Sequence, residues 1–204
     1  MKKIILSAIA VTLLNNAVFA QTATINFNIR NSPFSTYQIS NGNILAANDM
    51  PSFPFDQKGQ AVQHLKVTRP CFVTFRCHDS KTRKYLNQLL FISPGDQLLF
   101  EADMLKKENQ ITITGKGSNN NQPLPGNWVY FNGEEFEGDT VPNRVMEKIL
   151  KDESMLRAEL GQYIALHKPS GDFIKAQKTN LDYWALNAYF EFKENKRKFR
   201  LCKK

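Results

Sequence analysis

Two hydrophobic periods divide this chain. From Gln21 to about Thr114 the apolar residues come in short runs, many of them alternating with polar ones, which is the period of a half-buried strand. Thr24-Ile25-Asn26-Phe27-Asn28-Ile29 shows that alternation most cleanly. Ala61–Val67 and Cys71–Cys77 read as consecutive strands, and Cys71, Val73, Phe75 and Cys77 share one apolar face. Tyr85–Ile92, Ser93-Pro94-Gly95-Asp96 and Gln97–Ala102 read as a hairpin through a type II turn, with proline second and glycine third. Leu89, Leu90, Phe91 and Ile92 occupy both faces, so that strand should be covered on both sides. Gln110–Thr114 adds a short strand, Asn41-Gly42-Asn43 is a turn signal, and Pro51–Phe55 is a proline-punctuated edge. Several short strands at this spacing predict an antiparallel β-sandwich-like domain over residues 21–116.

The period changes after Gly115. Asn119–Asn121 and Pro123–Gly126 form a polar connection. From Asn143 onward Val145, Ile149, Leu156, Leu160 and Tyr163 recur at helical steps, with Met146 and Leu150 widening the stripe. Lys168-Pro169-Ser170-Gly171 should break this helix, and a second one should run from about Asp172 into Phe192. Its apolar face (Phe173, Leu181, Trp184, Ala188, Phe192) reads as a packed core or helix–hairpin interface rather than a cofactor pocket. The fold class expected is therefore α+β: a β-sandwich-like domain, a connection and helical hairpin-like segment over 117–192, and a basic tail over 193–204. Seven of the last twelve residues are basic and one is acidic, as in a solvated terminus.

Residues 1–20 carry a different signal. Lys2 and Lys3 precede an apolar run from Ile4 to Leu14, and Val18 and Ala20 suit the positions before a cleavage site. That is the pattern of a secretory signal peptide, with Gln21 starting the mature chain. The run is well short of the ~20 residues of a membrane span, and no lipid-accepting cysteine follows the cut. The expected location is periplasmic or otherwise extracytoplasmic, with no transmembrane anchor in the mature chain. Across 204 residues the net charge is +8, and cleavage would remove two of those charges with Lys2 and Lys3. Export takes the protein away from nucleic acid, so the basic excess does not indicate a nucleic-acid partner.

Candidate chemistry is thin. Three cysteines are too few for a disulfide scaffold. Cys71 and Cys77 lie roughly 20 Å apart along an extended chain, beyond the ~7 Å reach of a disulfide, and read as buried thiols. Cys202 sits among Arg200, Lys203 and Lys204, where positive charge favours a thiolate. Cys77-His78-Asp79 places three reactive types side by side, but adjacent strand residues point to opposite faces. His64, His78 and His167 are far apart in sequence and lack the close pairing of zinc ligands. Gly115-Lys116-Gly117-Ser118 lacks the glycine that a phosphate loop needs five residues earlier, where Gln110 stands, and has Gly117 where the hydroxyl should follow. A strand-ending turn with a Ser118 cap explains it better. The acidic segment Glu134, Glu135, Glu137 and Asp139 reads as a solvated connection. No Cys-x-x-Cys occurs anywhere. The expectation is no catalytic residue, no cofactor and no metal.

Phe91-Ile92-Ser93-Pro94-Gly95-Asp96-Gln97, followed by Ile111-Thr112-Ile113-Thr114-Gly115-Lys116-Gly117-Ser118-Asn119-Asn120-Asn121, resembles the N-terminal region of exported TlpA-like thiol–disulfide oxidoreductases. In that family such segments close a β-rich accessory domain; a helical stretch follows, similar to Lys168 through Phe192, and then a thioredoxin-like domain holds the redox cysteines. The resemblance covers roughly Gln21 to Glu194. Only ten residues follow Glu194, whereas a thioredoxin-like domain takes on the order of 100. It therefore implies a non-catalytic accessory module, stand-alone or truncated by an early stop, whose partner is a thioredoxin-like envelope protein or a second copy of itself. Helices deprived of a covering domain would expose their aromatic face and self-associate. The alternative is an exported β-sandwich that binds a peptide, a glycan or an envelope protein.

Overall fold

The computed structural model describes residues 21–40, 51–106, 111–123 and 141–202, with the side chains of 21 and 194–202 excepted. The signal-peptide region, the Asn41-Gly42-Asn43 turn, the acidic segment 134–139 and the Cys202 side chain lie outside what is described. The chain divides between Asn121 and Gln122 into two compact units. The observed class is α+β, with a two-sheet β domain first and two helices after it.

Among the described residues eight strands build the first unit: β1 (Gln21–Arg30), β2 (Thr36–Ser40), β3 (Ser52–Pro54), β4 (Gln60–Val67), β5 (Cys71–Asp79), β6 (Lys84–Ile92), β7 (Gln97–Asp103) and β8 (Thr112–Lys116). They form two four-stranded sheets, ordered β4-β1-β7-β8 and β3-β2-β5-β6. Alternation places Ile25, Phe27 and Ile29 of β1 and Leu98, Phe100 and Ala102 of β7 inside, against Val73, Phe75 and Cys77 of β5 and Leu86, Leu90 and Ile92 of β6. Phe27 stacks on Phe75 across the sheets, with centroids 4.3 Å apart and planes 14° from parallel. Phe100 and Tyr37 close around that pair at 5.1 Å and 5.8 Å from Phe75. The buried Tyr37 hydroxyl donates to Gln63 Oε1 at 3.1 Å.

Two sequence expectations change here. The Ser93–Asp96 turn forms as expected: Asp96 N–H donates to Ser93 O at 3.1 Å and Gly95 has φ +77°. It does not make a hairpin, because β6 and β7 belong to different sheets. The segment is a crossover, and β7 instead runs parallel to β1, the one parallel pairing among otherwise antiparallel partners. A tight turn is compatible with either path; pairing is decided by which strand edge is open. Likewise β4 and β5 are consecutive in the chain but sit in opposite sheets. Pro54 ends the short edge strand β3, as a residue without an amide donor should. On β6, Leu90 and Ile92 are buried on one face and Phe91 on the other, so the strand is covered on both sides there.

The second unit contains α1 (Pro142–His167) and α2 (Gly171–Cys202). Pro142 starts α1 where a missing donor costs nothing. Lys168 ends it in a left-handed conformation, donating to Ile164 O at 3.1 Å. Ser170 Oγ then accepts from Phe173 N–H at 3.3 Å and caps the next helix. Val145 and Ile149 pack with Ala188 and Phe192, and Tyr163 stacks on Phe173 at 5.5 Å. Arg157 spans the helices, bonding Glu153 and Asp182 at 2.7 Å and 2.8 Å. Phe173, Leu181, Ala188 and Phe192 are buried, as the expected packed helix–hairpin interface requires. Among the described side chains of α2, the exposed large apolar ones are Tyr183, Leu186 and Phe190, on the opposite side. The helix also continues ten residues past Phe192, so the basic tail is backbone-helical to Cys202.

Truncating Phe75 to alanine removes the ring that Phe27, Phe100 and Tyr37 all meet. Urea unfolding should show a loss of about 3–5 kcal/mol, with Phe75→Leu costing less.

Candidate functional site

Three places in the β unit gather residues that could carry function. The first joins the two segments of the resemblance. Asp96, 5% exposed, accepts Ser93 N–H on Oδ2 at 2.7 Å, while Thr24 N–H donates to its main-chain oxygen at 2.9 Å. Against its carboxylate lies Gly117, with φ +95°; a Cβ there would sit 2.5 Å from Asp96 Cγ. Gly115 is equally constrained, since a Cβ would meet Gln97 O at 2.2 Å. These glycines permit backbone contact; they do not cradle a phosphate.

The chain then makes one 3₁₀ turn (Ser118–Asn120) and delivers Asn121 to the edge of β6. Asn121 Oδ1 accepts Phe91 N–H at 2.7 Å, and its Nδ2 donates to Phe91 O at 2.8 Å and Gly117 O at 3.1 Å. One side-chain amide thus replaces a neighbouring strand. The cap differs from expectation: Gly117, not Ser118, takes that position, with no side-chain cap bond. The Pro94-Gly95-Asp96 turn and the Gly115–Asn121 segment therefore form a latch that ties the crossover to the end of β8.

The second place is the β5 run of Cys77, His78 and Asp79. Alternation separates them as the sequence implies. Cys77 faces the core, 3% exposed, and burial pushes its thiol up to about 12. His78 is exposed. Asp79 closes the next turn, accepting from Thr82 N–H at 2.9 Å and from the Thr82 hydroxyl, and these bonds hold its carboxyl below the ordinary value. Cys71, also on the inward side, has its thiol raised by burial. Both described cysteines are free. His64 meets Thr24 Oγ1 at 3.2 Å, and His167 lies against Tyr163 in the other unit. Among the described residues no group of three or more metal-ligating side chains assembles.

The third place was not anticipated. On the outward side of the β3-β2-β5-β6 sheet lies an open cleft of about 430 Å³. Register sets Ser52 beside Gln38, Gln38 beside Arg76, and Arg76 beside Asn87, one polar residue from each strand in a single row. Thr36, His78 and Tyr85 extend the lining, while Tyr37, Cys77 and Leu86 lie beneath at 3% exposure each. Among the described residues no acidic one lines it. The outward polar positions were visible in the sequence, but the row exists only once four strands are in register.

Comparison with family models, curated proteins and solved structures finds no match. The geometry offers a structural latch, two thiols raised by burial and, among the described residues, an open polar cleft. Among the described residues no helix is long and apolar enough to cross a membrane.

Replacing Asn121 by alanine removes its two bonds to Phe91 and one to Gly117, a loss of about 1–3 kcal/mol of stability. Asn121→Asp should be no better, because a carboxylate cannot donate to Phe91 O or Gly117 O; urea midpoints at pH 7 measure both. Burial raises the Asp96 carboxyl above its unfolded value, outweighing the Ser93 amide and Lys116. The folded chain therefore binds the Asp96 proton first, and stability at this site rises as pH falls through the folded pKa. Relative to Asp96→Asn, the native protein should gain stability between pH 7 and pH ~4 in parallel urea titrations.

Proposed function

We propose that this chain is a non-catalytic accessory module of an exported thioredoxin-like thiol–disulfide system, acting beside a redox partner in the periplasm. The observation that carries the reading is the fate of the motif residues. Asp96, Gly117 and Asn121, on which the likeness to TlpA-like N-terminal regions rests, close the β domain and bring no reactive group with them. The buried sulfur supports the same view: burial pushes the Cys77 thiol up to about 12 and so disfavours the thiolate, the nucleophilic form, at neutral pH. The partner is a thioredoxin-like envelope protein or a second copy of the chain.

A second reading, an exported β-sandwich that binds a ligand of the envelope or its surroundings, is favoured by the cleft lined by Arg76, Gln38 and Asn87. Sites of recognition are concave and hold a few placed polar groups.

The test is insulin reduction by the purified mature chain. The expected result is turbidity no faster than dithiothreitol alone, unchanged in Cys71→Ser, Cys77→Ser and Cys202→Ser. Thiol-dependent turnover abolished by one of these replacements would overturn the non-catalytic reading. Capture of a thioredoxin-like protein from envelope extract supports the accessory role; a glycan or unrelated ligand in its place supports the second reading.

A further inference from the structure

We propose that the cleft on the outward face of the β3-β2-β5-β6 sheet binds a carboxylate-bearing oligosaccharide of the uronic acid type, with Arg76 pairing its carboxylate. The inference rests on the second reading above and names the ligand class for that site.

The first argument is charge. Arg76 is half-buried on β5 and, among the described residues, its guanidinium forms no hydrogen bond or ion pair. With no acidic side chain among the described lining residues, its positive charge is left for a ligand. A planar guanidinium matches a carboxylate through two parallel N–H bonds. A single fixed cation suits a single negative charge; phosphate sites usually gather backbone amides at a helix start or several cations, and none is present here.

The second argument is the remainder of the row. Ser52, Gln38, Arg76 and Asn87 stand on successive strands at ~4.8 Å spacing, so the row runs about 14 Å across the sheet. Gln38 Nε2 donates to Ser52 Oγ at 3.3 Å, which orients that amide and leaves its carbonyl oxygen and the serine hydroxyl hydrogen available. Asn87 has no partner among the described residues. Neutral amides and hydroxyls in line, spaced to meet successive hydroxyl groups, are the donors and acceptors a polyol needs. Beside them Tyr85 is 70% exposed and pairs with His78 across the strands. An exposed aromatic ring offers an apolar face for the C–H side of a sugar ring.

The surface does not suit a peptide held by its main chain. Strand addition needs an open sheet edge. Here the surface is a sheet face, where backbone groups of β2 and β5 are already spent on their neighbours. Recognition must come from side chains, and those on offer are polar.

The test is two-dimensional NMR of the mature chain with three probes: a panel of uronate oligomers (galacturonate, glucuronate and mannuronate trimers), their neutral methyl esters, and an acetylated hexapeptide with a free C-terminal carboxylate. At least one uronate trimer should shift the Arg76, His78, Tyr85 and Asn87 resonances and bind about tenfold or more tighter than its ester. Arg76→Gln should abolish that preference, while Asn87→Ala should weaken acid and ester alike; unchanged melting temperatures show both variants folded. Equal binding of acid and ester at these residues, or stronger binding of the hexapeptide there, overturns the proposal and leaves the binding-module reading standing. Shifts confined to other surfaces overturn the proposed site. No binding by any probe overturns both.

Discussion

The stacked rings of Phe27 and Phe75 hold the β domain together, because they are where two separate sheets become one core. Each ring buried is worth about 1.5–3 kcal/mol, and an aromatic pair adds roughly 0.5–1.5 kcal/mol. Phe100 and Tyr37 pack onto the same pair, so β1, β2, β5 and β7 converge on it. Once the pair is in place, alternation decides every other side chain on those strands. Cys77 must follow Phe75 inward, and Arg76 and His78 must turn outward. The buried sulfur and the open polar cleft are two consequences of one packing choice.

The latch solves a problem that this arrangement creates. A chain that leaves one sheet at Ile92 and enters the other at Gln97 needs its corner fixed, and β6 is left as an edge. Asp96 secures the corner through Ser93 and Thr24, while Asn121 occupies the free groups of Phe91. Gly117 is demanded by both parts, since its missing Cβ makes room for the Asp96 carboxylate and its carbonyl receives the Asn121 amide. Residues that look like a motif are here a requirement of packing.

The helical unit shows the same economy on a simpler scale. Proline and Ser170 define where one helix stops and the next begins, and small Ala188 lets α2 approach Val145 and Ile149. The opposite side of α2 keeps Tyr183, Leu186 and Phe190 in solvent, so this helix is apolar on two sides while the charged residues lie between and beyond them.

How much of this could be read along the chain follows from the range of each interaction. Strand and helix periods, the Ser93–Asp96 turn, the break at Lys168–Gly171, the inward placement of Cys71 and Cys77 and the dispersal of Cys77, His78 and Asp79 were all legible, because alternation, φ restriction and capping act within a few residues. The pairing of β1 with β7 was not, since it joins Thr24 to Gln97 and no local signal distinguishes a crossover from a hairpin after the same turn. The cleft was hidden for the same reason: Ser52, Gln38, Arg76 and Asn87 are ordinary polar residues on four strands until register aligns them. Local chemistry determined which elements form and which way each side chain faces; only the tertiary structure decided which edges meet, because hydrogen bonds between strands carry no record in the sequence of the partner they will find.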